Sequence, residues 1–224
     1  MENKKDTAVT AQDRNRVADF SHGIFATSDS FTLAWQMAQS LAQSNIVPAA
    51  FQNKPANCLI AVEQANRFGM SPFHVMQNLF VIQGRPSWSS AWIIAMVNKF
   101  GGYDIELQFE ETRDKDGKPF SCKCWTLKDG RRVDGIVIDM DMARAEGWTS
   151  KNGSKWRTMP QVMLRYRAAS FFARMNCPEI TLGLYSQEEV YEMSNRPEDI
   201  RVEAEQAIDL GANAVEFMPP EDET

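Results

Sequence analysis

The 224-residue sequence lacks the motifs that mark several large classes of enzyme. It has no GxxxxGK segment followed by Ser or Thr to hold a nucleotide triphosphate, and no GxGxxG after a predicted strand. Its two histidines, His22 and His74, are far apart in sequence, so a histidine-based triad or metal cluster is not expected. These absences favour a binding function over nucleotide-dependent or histidine-dependent catalysis.

Long apolar runs and clustered cysteines are absent as well. No apolar run approaches the roughly 18 residues of a transmembrane helix, and the N-terminal stretch MENKKDTAVTAQDRNR lacks the apolar core of a signal peptide. The cysteines Cys58, Cys122, Cys124 and Cys177 are scattered, which is typical of buried thiols in a reducing compartment. We therefore expect a cytoplasmic protein without a membrane partner.

Acidic residues are missing from two parts of a chain that is acidic overall. The formal net charge is -6, yet residues 64–103 and 147–178 contain no Asp or Glu. Residues 54–175 carry 18 Lys or Arg against 12 Asp or Glu, whereas residues 176–224 carry 2 against 13. Acid-free cationic surface favours a polyanionic partner, because binding releases counterions. The alternative is that these cations pair with acids elsewhere in the fold.

The hydrophobic pattern predicts an α+β fold in which a small antiparallel β-meander packs with several helices. Apolar residues recur at helical spacing, with capping or breaking residues at the ends, in several segments. The predicted helices cover residues 30–44, 55–69, 89–100 and 160–175, with shorter helices opening at Ser71, near 141 and at Ser186, where Glu189 completes a capping box.

Strands are predicted where the period of the pattern changes to two. LFVIQ, residues 79–83, is a β-rich run that ends at Gly84, Arg85 and Pro86. Alternation of apolar and polar residues over 103–110 predicts a half-buried strand, followed by strands over 120–127 and 131–139. The short turns between these three strands permit only hairpins, which predicts the meander. We divide the chain into a flexible segment 1–28, a core 29–194 and an acidic, flexible tail 195–224.

The strongest concentration of positive charge lies in residues 151–174, KNGSKWRTMPQVMLRYRAASFFAR, with six Lys or Arg and no acid. On a helix from Pro160, positions 163, 167, 170 and 174 share one face. We expect Arg167 and Arg174 to be exposed on that face. Arg165 lies on the other side of the helix with apolar neighbours, which predicts a buried, ion-paired arginine.

Cations with aromatic residues between them are typical of proteins that bind single-stranded nucleic acid. The cations follow the phosphates, and the rings stack with unpaired bases. The candidate DNA-binding residues are Arg85, Trp88, Trp92, Lys99, Lys151, Lys155, Trp156, Arg157, Arg165, Arg167 and Arg174. For the tryptophans, core packing is the alternative interpretation. Trp88, Trp92 and Lys99 form one stripe only if their helix begins before residue 89.

A metal-dependent activity is the enzymatic alternative. Asp104 with Asp116, Gly117 and Lys118 loosely fits the carboxylate and D-x-K pattern with which some nucleases hold Mg²⁺. Residues 114–117 also have the composition of a hairpin turn, where mobile side chains are poorly suited to fix a metal. Cys122 and Cys124 lack the second pair that a zinc site needs. We expect no metal and no cofactor.

Two segments carry a resemblance to a known family. One is GMSPFHVMQNLFVIQGRPS, residues 69–87, and the other is WRTMPQVMLRYRA, residues 156–168, followed by Ala173-Arg174, Pro178 and GLYS at 183–186. Together they resemble the RecT family of phage single-strand annealing proteins. The match extends over residues 30–193 in the expected order, which makes it more specific than a single short motif.

The resemblance implies a function that needs no catalytic centre. RecT-like proteins bind single-stranded DNA, pair it with a complementary strand without ATP, and assemble into rings or helical filaments. They share an α+β core with the Redβ annealing proteins, and their partners are a phage exonuclease and the host single-stranded-DNA-binding protein. The resemblance implies that the basic helix and the QGRP turn line the DNA groove, which supports five of the candidates: Arg85, Arg157, Arg165, Arg167 and Arg174.

The acidity of the C-terminal segment departs from that family pattern. We expect residues 196–224 either to contact a protein partner or to fold over the groove as a DNA mimic when DNA is absent. A metal nuclease and a phage assembly protein that binds no DNA are the alternative functions.

Overall fold

The computed structural model describes residues 20–193, which fall into two compact units, 20–76 and 77–193. The predicted core, 29–194, contains the boundary between these units. The predicted acidic tail, 195–224, lies outside the described residues.

The first unit contains α1 (Ser28–Ala42) and α2 (Pro55–Phe68). Thr27 is the N-cap of α1, three residues before the predicted start of this helix at residue 30: its hydroxyl accepts a hydrogen bond from Ser30 N at 3.1 Å. Pro55 lies in the first turn of α2, and Gly69 ends that helix with φ 60. The two predicted helices are confirmed, but α1 begins at Ser28 instead of residue 30 because Thr27 caps it.

The core of this first unit extends into the segment that was predicted to be flexible. Ile24 is fully buried and packs with Ala34 and Val62, while Phe20 packs against the same cluster. Phe20 O also accepts a hydrogen bond from Asn66 Nδ2 at 3.2 Å. Within the described part of segment 1–28, Phe20 and Ile24 therefore anchor the chain to the core of this unit, whereas most of the residues between them and α1 are exposed; residues 1–19 lie outside the described residues.

The second unit opens with a small sheet and a helix. After α3 (Pro72–Asn78), which crosses the boundary between the units, β1 (Leu79–Ile82) and β2 (Arg85–Trp88) form an antiparallel hairpin. α4 (Ser90–Phe100) follows, capped by Ser89. The sequence pattern missed β2, because Gly84 and Pro86 were interpreted as the end of the strand region.

The predicted meander is confirmed, in the order β3 (Gln108–Arg113), β4 (Pro119–Lys128) and β5 (Arg131–Asp139). Its first strand begins later than the alternation over 103–110 predicted. Residues 103–107 keep the alternating burial but do not belong to the regular ladder between β3 and β4. Asp104 N still donates a hydrogen bond to Leu127 O of β4, at 2.8 Å. Side chains supply other bonds there, since the hydroxyl of Thr126 donates to Ile105 O at 2.5 Å.

Helices cover one face of this meander. The remaining elements are α5 (Met140–Ala145), α6 (Lys155–Thr158), α7 (Pro160–Asn176), α8 (Pro178–Thr181), β6 (Tyr185–Ser186) and α9 (Gln187–Met193). α7 packs on β4 and β5. A Cβ atom at Gly135 of β5 would lie 3.0 Å from Cys124 O and 3.2 Å from the Phe172 ring, so a glycine lets α7 lie directly on the sheet.

The fold is therefore α+β, with an antiparallel meander packed against helices, as predicted. All four cysteines are buried thiols, and burial raises the pKa of Cys122 and of Cys124 to about 12. Among residues 20–193, no helix combines the length and the apolar character needed to cross a membrane.

Candidate functional site

The polar face of α7 exists as predicted, but α9 covers it. Arg167, Ser170 and Arg174 lie on this face, and all three contact carboxylates of α9. Arg167 is only 6% exposed. The cations that were expected to be freest are therefore among the most enclosed in the second unit.

Glu189 is the hub of these contacts. One carboxylate oxygen lies 2.5 Å from Arg174 and 3.4 Å from Arg167. The other accepts hydrogen bonds from the hydroxyl of Ser170 at 2.9 Å and from Ser186 N at 3.0 Å. The last bond belongs to the predicted capping box, which is confirmed: Glu189 N donates in return to the Ser186 hydroxyl.

Glu192 completes a buried set of charges that we call the arginine–glutamate cluster: Arg167, Arg174, Glu189 and Glu192. The carboxylate of Glu192 pairs with Arg167 and accepts a hydrogen bond from Trp156 Nε1 at 2.6 Å. The guanidinium of Arg167 also lies 4.0 Å from the centre of the Trp148 ring. Two arginines and two glutamates thus neutralise one another and connect α9 to α7 and to the loop before α6.

Burial and charge act in opposite directions on the two carboxyl groups. Burial would raise the pKa of Glu189, but Arg167 and Arg174 outweigh it, so this pKa lies below the ordinary value. Burial dominates at Glu192 and raises its pKa despite the pair with Arg167. Glu189 is therefore the carboxylate whose charge the fold stabilises.

The expectation that Arg167 and Arg174 are unpaired and exposed is wrong. Their acids come from a helix outside the acid-free stretch, which inspection of that stretch alone does not reveal. Arg165 does form the predicted ion pair, with Glu111 of β3, but its side chain is 47% exposed instead of buried. Arg167 is thus buried and Arg165 exposed, the reverse of the prediction, while Arg174 is partly buried.

The three candidate tryptophans are core residues. Trp88, Trp92 and Trp156 are 0%, 8% and 1% exposed. Trp88 lies in β2, so it does not share a helical stripe with Trp92 and Lys99; its ring instead stacks on Trp92 at 5.5 Å. Core packing, the alternative interpretation, describes all three side chains in this structure, and none offers a face to a nucleobase.

The remaining cations of the positive segment stay at the surface. The hydroxyl of Ser154 accepts a hydrogen bond from Trp156 N and begins the single turn of α6, which presents Lys155 and Arg157 to solvent. Among residues 20–193, neither of these two side chains takes part in an ion pair. Arg157 instead donates to Lys151 O at 3.2 Å, which keeps the two ends of the loop together.

A cleft of about 330 Å³ joins this segment to the first hairpin, and we call it the cationic cleft. Lys151 and Lys155 line one part of it, and Ile82 at the end of β1 lines another. Arg85 is exposed and is the cross-strand partner of Ile82. The structure thus places the end of β1, just before the QGRP turn, and the basic loop at the same cleft, although residues 83–86 do not line it.

Lys99 does not belong to this group of cations. It is exposed in the last turn of α4, where its ammonium group lies 5.1 Å from the centre of the Phe100 ring. It is not among the residues that line the cationic cleft. We therefore leave Lys99 outside the candidate site that the geometry defines.

Of the acids in the nuclease pattern, Asp104 binds the turn between β4 and β5, and Asp116 lies in the turn between β3 and β4. Asp104 accepts a hydrogen bond from Gly130 N at 2.8 Å. Asp114 accepts from Asp116 N and Lys118 N, both at 2.9 Å, in the β3–β4 turn. Within the part of the chain that the structure describes, no three His, Cys, Asp or Glu residues are grouped so that they could hold a metal ion.

Sequence reasoning missed the acids of the cluster and the residues that α9 contributes to the cleft. A signal existed: Glu189 and Glu192 are three residues apart and share a helix face, and Arg167, Ser170 and Arg174 have the matching spacing. The contributions of Tyr191 and Ile82 to one cleft carry no comparable signal, because they depend on the packing of α9 near the hairpin.

Comparison with known proteins identifies no relative: no protein-family model, curated protein or solved structure matches the chain. The resemblance to RecT proteins consequently stays a prediction from the sequence motifs.

Proposed function

We propose that this protein binds single-stranded DNA and anneals complementary strands without ATP. The observation that carries the proposal is the pair of exposed cations on α6, Lys155 and Arg157, neither of which forms an ion pair within residues 20–193. Lys155 lines the cleft together with Lys151. Arg85, the exposed cross-strand partner of the cleft residue Ile82, extends the positive surface to the first hairpin. The RecT-like motifs, which include both of these segments, support the same activity.

Annealing requires two polyanions to approach each other, and cations lower the repulsion between them. Phosphates held by Lys and Arg release counterions, while the bases remain able to test pairing. No bond is made or broken, so this activity needs no catalytic group. The buried Arg167 has a different part in this proposal: through its contact with the Trp148 ring it holds the loop that carries the exposed cations.

One protomer with this small a cationic surface covers few nucleotides. Stable pairing therefore calls for many protomers along one strand, and we propose a homo-oligomer, in the ring or helical filament that the resemblance implies. The proposed setting is recombination of phage DNA in the cytoplasm of a bacterial host. An exonuclease would supply the single strand there, and the host single-stranded-DNA-binding protein would be a further partner.

Fluorescence annealing of complementary oligonucleotides tests the proposal directly. We expect the protein to accelerate duplex formation with no nucleotide triphosphate present and with EDTA in the buffer. With about four phosphates neutralised, log K against log salt for a single strand should have a slope near about -3.

Three outcomes would contradict the proposal in different ways. Cleavage of the strands that depends on Mg²⁺ would favour the nuclease alternative. Absence of any single-strand binding by fluorescence anisotropy at low salt would favour the assembly protein. Binding without a salt dependence would remove the electrostatic account while leaving a DNA-binding protein.

A further inference from the structure

The cationic cleft has walls of three chemical kinds. Its apolar and aromatic wall includes Ile82, Trp148 and Tyr191, and its cationic wall is formed by Lys151 and Lys155. α9 adds a third wall with Gln187 and two carboxylates, Glu188 and Glu192, of which Glu192 is paired with Arg167. A volume of about 330 Å³ is near the lower end of the range of small-molecule sites, about 300–1,000 Å³. The occupant that fits is a single small unit with an aromatic, a polar and an anionic part.

The walls are held in place before any ligand arrives. Trp156 is fixed by the hydrogen bond from its Nε1 to Glu192, and the Ser154 hydroxyl donates to Trp148 O at 2.6 Å. Glu188 accepts a hydrogen bond from the hydroxyl of Ser90 at 2.6 Å, which orients its carboxylate. A cleft with fixed walls binds without a large ordering cost, so these bonds favour a preformed site.

Tyr191 is the most exposed of the aromatic side chains that line the cleft. It is 49% exposed, whereas Trp156 is 1% exposed and serves as the cleft floor. An exposed ring next to lysines is the arrangement with which single-strand binding proteins accept an unstacked base. A carboxylate such as that of Glu188 accepts hydrogen bonds from the amino edge of a base, as in the contact between Glu and cytosine N4.

We propose that the cationic cleft receives one nucleobase of the bound strand. The ring packs against Tyr191, the amino edge of the base meets Glu188, and the adjoining phosphate lies at Lys151 and Lys155. This inference rests on the proposed function and adds to it that the strand is held through a base as well as through its backbone. A peptide with a basic side chain is disfavoured by the two lysines, and a free sugar phosphate would leave the aromatic wall unused.

Binding of abasic DNA distinguishes a base pocket from a purely electrostatic groove. We compare an oligo(dC) strand with a strand of equal length and charge in which every base is absent, using fluorescence anisotropy at one salt concentration. Stacking of a base contributes about 1–3 kcal/mol, so the wild-type protein should prefer oligo(dC) by roughly 5- to 150-fold. This ratio needs no variant and is independent of protein folding defects.

A substitution then locates the effect. Tyr191→Ala should bring the preference for oligo(dC) close to one while leaving the affinity for the abasic strand unchanged. Tyr185→Ala is the matched control, because Tyr185 is 43% exposed, belongs to the same unit and does not line the cleft. That control should keep the wild-type ratio, and circular dichroism checks that both variants are folded.

The outcomes separate this inference from the proposed function. If neither strand binds, the proposed function fails and the inference fails with it. If both strands bind wild-type protein equally, the function stands and the base pocket is overturned. If Tyr191→Ala keeps the wild-type preference, bases are recognised elsewhere and the cleft assignment is also overturned.

Discussion

Two parts of one positively charged segment have opposite environments. Arg167 and Arg174 on α7 are enclosed and neutralised by Glu189 and Glu192 of α9. Lys155, on the short helix just before, is exposed and has no ion-pair partner within the described part of the chain. Both parts belong to the same acid-free stretch of sequence, yet only one of them can meet a phosphate in this conformation.

The difference shows that the charge of a sequence window is not the charge of a surface. Glu189 lies 22 residues beyond Arg167 in the chain, and Glu111, the partner of Arg165, lies 54 residues before it. Tertiary packing therefore neutralises α7 from both sides, while Lys155 and Arg157 form no ion pair within residues 20–193. We expect the α7 arginines to matter for stability and the cations of the preceding loop for binding, a division that can be tested cation by cation.

The largest expected effect follows from removal of a buried charge. Arg167→Ala leaves Glu192 without its cation and Glu189 with only Arg174, and breaking a buried pair costs about 3–5 kcal/mol. We expect a loss of this size in the free energy of unfolding of the second unit, measured by urea denaturation with tryptophan fluorescence. Arg157→Ala is the control and should change it by less than about 0.5 kcal/mol.

This result also replaces an expectation from the sequence. With Arg167 and Arg174 exposed, their double substitution would impair annealing and leave the fold intact. With both arginines in the cluster, loss of stability should come first. A stable Arg167→Ala variant that no longer anneals DNA would contradict the structural assignment and restore the original one.

The exposed region should show the opposite behaviour. The triple variant Lys151→Ala/Lys155→Ala/Arg157→Ala removes about three phosphate contacts, which weakens single-strand binding about 100-fold at 0.1 M salt and makes the salt slope shallower by about 2. The free energy of unfolding should hardly change. Fluorescence anisotropy over a salt series measures both quantities.

The matched control for the triple variant removes three exposed cations at the turns of the meander, Lys115, Lys118 and Arg131. It has the same change in net charge but does not touch the cleft. If the control weakens binding as much as the triple variant does, the effect is one of overall charge, and the loop has no special role.

The two glutamates of the cluster sharpen the comparison within the buried region. The pKa of Glu189 is lowered in the fold, so its contribution to stability is present above the ordinary Glu pKa of about 4.3 and is lost as the pH falls through the lower folded value. Glu189→Gln should thus lower the free energy of unfolding by about 1–3 kcal/mol at pH 7. The difference in this free energy between the variant and the wild type should narrow below pH ~4.

Glu192→Gln is the control for that pH dependence. The pKa of Glu192 is raised, so the fold disfavours its charge, and the stability tied to its protonated form is lost as the pH rises through the folded value. Glu192→Gln should therefore lower the free energy of unfolding at pH 7 by less than Glu189→Gln does. Equal losses for the two variants, by urea denaturation at pH 7, would contradict the assignment of Glu189 as the charged hub.

The smallest loss in the free energy of unfolding is expected for Arg165→Ala. Arg165→Ala breaks the pair with Glu111 on the outside of the meander, and half-exposed pairs contribute only about 0.2–1 kcal/mol. The same substitution on the same helix should therefore differ severalfold in its effect on unfolding. A loss at Arg165 as large as that at Arg167 would mean that exposure is a poor guide to these pairs.

Elements with strong local signals were predictable from the sequence. The turns of the meander are too short for any connection but a hairpin, and Pro55, Gly69 and Pro160 lie at helix ends where their backbone preferences place them. The Ser186 capping box was recognised for the same reason. Local chemistry fixes such boundaries whatever the rest of the chain does.

Features that depend on contacts between distant segments were not predictable. The boundary between the two units falls within α3, at residues 76 and 77, where the sequence continues without a break. The burial of Trp88 is tied to Thr181, whose carbonyl accepts its indole N–H at 3.2 Å from 93 residues away. No pattern within a window around residue 88 contains that information.

The capping box of α9 has a practical consequence for how far the chain can be shortened. The carboxylate that begins this helix also neutralises Arg167 and Arg174, so the start of the helix and the charge balance of α7 fail together. Truncations that end within α9 and remove Glu189 should therefore unfold the second unit more easily than a truncation that ends after Met193, which keeps every residue of the cluster. Urea denaturation of such a truncation series would locate the step in stability.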